Sequence, residues 1–151
     1  MYGTRILVVS SFTLLREGLC ALLRTREEWH VRGVDWDMDQ VQRKLTEMEP
    51  DVVILDVSEV DEHTKGLIRS IRTASRWPGI VVLARELESN AFLQLLRAGA
   101  RSWLDTQSGS SDLFAAVQAA ASGNAYLCPG AACALLRAYR RQHTDSTRSQ
   151  I

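Results

Sequence analysis

The chain has no surplus of either charge. Eighteen Lys and Arg are matched by eighteen Asp and Glu, for a net charge of +0. A domain that grips DNA by itself more often shows a basic excess, so direct nucleic-acid binding by this segment is disfavoured. Cysteine is scarce. Cys20, Cys128 and Cys133 lack metal-ligand spacing, and three thiols cannot all pair. That fits a reducing compartment, and the cytoplasm is the expected location. No apolar run approaches the roughly 20 residues needed to cross a bilayer, so no membrane partner is expected. The N-terminus lacks the charged and apolar regions of a secretory signal. Internal repeats and low-complexity tracts are absent too. No Gly-rich phosphate loop follows the first apolar run, where Ser10-Ser11-Phe12-Thr13 stands, and no nucleophile–base pair is visible. A cofactor enzyme is thereby disfavoured, and no catalytic residue, metal ligand or cofactor is assigned.

What is present is alternation. Residues 50–56, Pro-Asp-Val-Val-Ile-Leu-Asp, form a short run that is apolar on both alternating faces. Such a run suits a central strand of a parallel sheet covered on both sides, with Asp56 at its carboxyl end. Residues 5–9 and 80–83 read as two more buried strands, and 30–34 and 102–104 as shorter ones. Between them apolar residues recur at helical spacing over 12–26, 37–49, 66–75, 87–98 and 110–122, while 58–65 reads as a polar loop. Gly99 is placed for a left-handed cap, and Ser110 or Ser111 for an N-cap. Strands alternating with helices imply right-handed crossovers and a parallel sheet. The expected fold is α/β, a flavodoxin-like (CheY-like) doubly wound five-stranded sheet of order 2-1-3-4-5. Its site lies where strands 1 and 3 meet, which brings Ser10, Ser11 and Asp56 together. A further helix is expected over 129–143, with a basic end at Arg137, Arg140 and Arg141, and then a disordered polar tail over 144–151.

Several of these stretches resemble the receiver domain of NarL/LuxR-type response regulators. Ile6-Leu7-Val8-Val9 and Leu14-Leu15-Arg16-Glu17-Gly18-Leu19 look like its opening, and residues 50–56 look like its phosphoacceptor strand. Arg97-Ala98-Gly99-Ala100, Trp103-Leu104 and Gly123-Asn124-Ala125-Tyr126-Leu127 match its last third. The likeness covers about residues 5–128 and implies a receiver-like domain over 1–128. Residues 129–151 would then be a helix and linker toward a DNA-binding helix-turn-helix domain absent from these residues.

The departures from that pattern carry the functional reading. The resemblance implies two acidic residues after strand 1 that hold Mg²⁺; here they are Ser10 and Ser11. It implies a Ser/Thr after strand 4, here Ala84. It implies a Lys after strand 5, here Thr106, or Asp105 in the neighbouring register. Only the phosphoacceptor position, Asp56, is kept, and the loop after it is about two residues longer than usual. Phosphoryl transfer to a carboxylate depends on positioning and on cations that offset accumulating negative charge. Mg²⁺ takes octahedral oxygen ligands and usually one or two protein carboxylates, so two hydroxyls and one carboxylate hold it poorly. The expectation is an atypical, phosphorylation-independent receiver. The alternative is a conventional receiver phosphorylated on Asp56 by a sensor histidine kinase.

Asp56 then caps nearby loop amides, lies in an emptied pocket that binds another ligand, or pairs with a base such as Arg85. Trp103 occupies the position of the family's switch aromatic, with half-buried packing as the plainer role. Trp29, Trp36, Trp77 and Trp103 with flanking arginines could otherwise form an aromatic ligand surface. Output would pass through a homodimer on the fifth helix, at Leu113, Phe114, Val117 and Ala120, with the first or the terminal helix as a further surface. A resemblance to atypical receivers in antibiotic-pathway regulators further suggests a small-molecule pathway end-product as a replacement signal. DNA would be reached only through the absent domain.

Overall fold

The computed structural model describes residues 3–73, 77–85 and 88–149. In chain order the elements are β1 (Arg5–Val9), α1 (Thr13–Leu23), β2 (His30–Val34), α2 (Met38–Met48), β3 (Val52–Val57) and α3 (Glu62–Arg72). They continue with β4 (Gly79–Ala84), α4 (Ser89–Ala98), β5 (Ser102–Leu104), α5 (Ser110–Ala121), β6 (Tyr126–Leu127) and α6 (Pro129–Ser149). All strands are parallel, in the order β2-β1-β3-β4-β5-β6.

Five of these strands and their order match the sequence reading; the sheet has a sixth. Tyr126 and Leu127 pair with Ser102 and Trp103, and the Tyr126 N–H donates to the Ser102 hydroxyl at 3.2 Å. Two residues are too few to show a period of two, so this strand leaves no pattern in the sequence. Its effect is to cover β5, whose three residues are all buried.

The two faces of β3 explain why it sits in the middle. Val53, Leu55 and Val57 join one apolar layer with α2, α3, α4 and α6; Val52 and Ile54 join the other with α1 and α5. A strand apolar on both faces can be buried only between two helical layers.

Three helix boundaries differ from expectation for local reasons. Helix α3 begins at Glu62, four residues early, because the Asp61 carboxylate accepts from the Thr64 N–H at 2.9 Å and caps it. Helix α5 is capped at Gly109 and not by Ser110 or Ser111; the Asp112 carboxylate accepts the Gly109 N–H at 2.8 Å. Helix α6 runs to Ser149, where a disordered tail was expected from residue 144. No Gly or Pro follows Gly130 to stop it; residues 150 and 151 lie outside the described residues. Gly99 does end α4 at φ 126°, a conformation side chains resist.

The first turns of α6 also cross the domain boundary drawn at residue 128. Ala131 and Ala134 are buried in the same layer as Phe92, Leu95 and Trp103. Helix α6 is thus part of the packed body there. Among the described residues no helix is long and apolar enough to cross a membrane.

Candidate functional site at the carboxyl edge of the sheet

Loops leaving the carboxyl ends of β1 to β5 surround an open cleft of about 1010 Å³. Asp56 lies on its floor, as the strand order requires. Ser11 and Thr106 line it, whereas Ser10 and Ala84 lie beneath, buried. Thr106, not Asp105, faces the cleft. The Asp105 carboxylate turns away to accept the Gln107 N–H at 2.9 Å and lies 3.5 Å from the Cys128 thiol.

The decisive contact is between β1 and β3. The buried Ser10 hydroxyl donates to Asp56 Oδ2 at 2.8 Å and accepts the Phe12 N–H at 3.1 Å. Ser10 is itself fixed, because its carbonyl accepts Arg16 Nη1 at 2.6 Å and its N–H donates to the Val34 carbonyl at 3.2 Å. One carboxylate oxygen of Asp56 is therefore held by a neutral hydroxyl. Among the described residues the other accepts no hydrogen bond. No ion pair joins Asp56 to Arg85; the Arg85 guanidinium lies 5.4 Å over the exposed Phe12 ring instead.

The Mg²⁺ implied by the family resemblance does not fit this donor set. Ser10 Oγ is committed to Asp56 and Phe12, Ser11 adds one neutral hydroxyl, and a hard divalent ion favours carboxylates. Among the described residues no group of three His, Cys, Asp or Glu side chains is placed to hold a metal. Ala84, opposite Val57 in the β3–β4 register, presents only a methyl group.

The rim comes from residues that the site reading left out. Phe12 and Trp36, from the loops after β1 and β2, and Met38, at the start of α2, build an apolar wall. Glu59, Asp61, His63 and Thr64 build the facing wall from the β3–α3 segment. Hydrogen bonds from the Thr64 N–H and then its hydroxyl hold the Asp61 carboxyl below the usual range, so it stays ionised. The Asp-x-x-Thr spacing before α3 was the available signal for that cap.

Two other expectations are corrected. The four tryptophans share no surface: Trp29 and Trp103 are buried, Trp36 lines the cleft, and Trp77 stands at the opposite edge near Arg72. Leu113, Val117 and Ala120 do not present a dimer face. They are buried against the sheet beside Ile6, Val8 and Val81, and Phe114 packs on Trp29 at 5.7 Å. The spacing of apolar residues on α5 marks the face that seeks the sheet. Trp103 is fully buried, 4.5 Å from Phe92 between ring centroids, and among the described residues its indole N–H has no partner, so packing holds the ring.

No protein-family profile matches the chain. The response regulator GacA of Pseudomonas viridiflava is 30% identical over 149 residues, covering 94% of this chain and 67% of GacA. The chain spans 58%, 56% and 63% of three Bacillus subtilis relatives, each named a transcriptional regulatory protein. Among solved structures, a LuxR-family two-component response regulator from Aurantimonas sp. SI85-9A1 superposes with a TM-score of 0.78 at 24% identity, over 89% of this chain and 96% of that one. A structure of two RcsB dimers bound to two parallel DNAs superposes with a TM-score of 0.74 at 19% identity, over 88% of this chain and 68% of that one.

Proposed function

Since the chain belongs to the NarL/LuxR-type response-regulator family, we propose that it is an atypical receiver whose Asp56 does not serve as a phosphoacceptor. The observation that carries this reading is the Ser10 hydroxyl seated 2.8 Å from Asp56, where a second carboxylate would help to hold a cation. A phosphoryl group arriving at Asp56 would meet no fixed metal, no hydroxyl at Ala84 and no ammonium at Thr106. Loss of one preorganised donor costs about 2.7–4 kcal/mol of transition-state stabilisation in reference enzymes, and such losses do not simply add.

Output then passes through association and a ligand. The proposed ligand is a small molecule in the cleft. The proposed dimer uses α1, where Leu14 is 83% and Leu22 is 42% exposed on a helix otherwise packed against the sheet. Control of transcription would reach DNA through a further domain, as the RcsB dimers on DNA suggest by analogy. Incubation with a small-molecule phosphodonor and Mg²⁺, followed by intact-mass measurement, should leave the mass unchanged. A stoichiometric phosphoryl adduct on Asp56 would favour a conventional receiver served by a histidine kinase.

A further inference from the structure

We propose that the cleft above Asp56 binds an organic cation with a planar apolar body. This rests on the preceding reading, in which no phosphoryl group occupies the floor. The volume, about 1010 Å³, is that of a site for a drug-sized molecule. One wall is apolar and aromatic, from Phe12, Trp36 and Met38, with Phe12 57% and Met38 42% exposed. A contiguous apolar surface left open along a cleft marks a ligand-binding groove.

The charges decide the class. Among the described residues, Asp56, Glu59 and Asp61 line the cleft against the guanidinium of Arg85 and the imidazole of His63, which leaves the carboxylates in excess. Asp61 is kept ionised by Thr64, and Asp56 offers an oxygen without a partner among the described residues. An anion would meet a net negative field there; an ammonium or iminium group would find a carboxylate and two aromatic faces. The rim already shows that affinity, since Arg85 rests on the Phe12 ring at 5.4 Å and forms no ion pair with Asp56.

The probes are proflavine, a planar tricyclic cation, and anthracene-2-carboxylate, an anion of similar shape. Each is titrated by calorimetry into the 151-residue chain. Proflavine should bind at one site and the anion should not. Asp56→Asn should weaken proflavine by roughly tenfold or more, as expected for loss of a charged hydrogen-bonding partner. Trp36→Ala should weaken it by roughly fivefold through the lost ring face. Glu59→Gln, exposed and harmless to folding, should weaken it by about twofold to threefold. Trp77→Ala, at the opposite edge, should change nothing. Tighter binding of the anion, or proflavine affinity unchanged in Asp56→Asn and Glu59→Gln, overturns the proposal. The phosphodonor experiment reads separately. No adduct with no proflavine binding removes the ligand class alone, and an adduct with proflavine binding intact removes the atypical-receiver reading alone.

Discussion

Strand β3 has an aspartate at each end, and the two are treated differently. Asp51, just before the strand, accepts the Arg5 N–H at 2.8 Å and lies 3.7 Å from Arg5 Nε. Its own N–H donates to the Arg5 carbonyl at 2.8 Å, and its carbonyl accepts from Gly79 at 2.9 Å. That end is stitched to both neighbouring strands. Asp56, at the other end, receives one hydroxyl and opens onto a cleft. A carboxylate tied to a backbone amide and a guanidinium serves the fold, whereas one left with an unused oxygen on a cleft floor is available for recognition.

The largest effect is expected at the closed end. A Cβ at Gly79 would stand 2.4 Å from the Ala120 carbonyl oxygen, which is backbone and cannot swing aside. Gly79→Ala should cost about 1–3 kcal/mol in urea unfolding, the range for overpacking. The aspartates come next. Asp51→Ala leaves the Arg5 N–H without its acceptor and should cost about 1–2 kcal/mol. Asp56→Ala should stay within about 0.5 kcal/mol, the range for open surface sites, because the Ser10 hydroxyl can turn to the Phe12 carbonyl, 3.4 Å away. Equal losses at both positions would dissolve the distinction.

The smallest effect sharpens it through pH. Asp61 and Asp112 both have carboxyls held below the usual range, Asp61 by Thr64 and Asp112 by the Tyr126 hydroxyl and then the Gly109 N–H. A folded value below the unfolded one stabilises the fold above the ordinary carboxylate pKa of about 4, and that contribution fades as pH falls through the folded value. Tyr126→Phe removes the 2.6 Å bond to Asp112 and should flatten part of the acid loss of stability, while the neutral-pH melting temperature falls slightly.

Much of this fold was legible. Continuous β-branched runs such as Val52-Val53-Ile54 admit few placements, and they fixed the parallel sheet and the seat of Asp56. Ser10 beside Asp56 followed from the strand order alone. Other features had no local signature. Strand β6 is two residues long, and its pairing depends on β5 lying alongside. The apolar wall of the cleft is assembled from Phe12, Trp36 and Met38, which the chain brings together only through β1 and β2. Leu113, Val117 and Ala120 were misread because helical spacing reveals a face without saying what it meets.

On the proposed reading, Asp56 lacks the groups that would let it accept a phosphoryl group. That lack is tested most directly by running one reaction on two proteins. The unaltered chain and a variant carrying Ser10→Asp, Ser11→Asp, Ala84→Thr and Thr106→Lys are incubated with phosphoramidate and Mg²⁺, and intact masses are compared. A hydroxylamine-sensitive phosphoryl adduct is expected on the variant and none on the unaltered chain. A stoichiometric adduct on the unaltered chain that disappears in Asp56→Asn would contradict it.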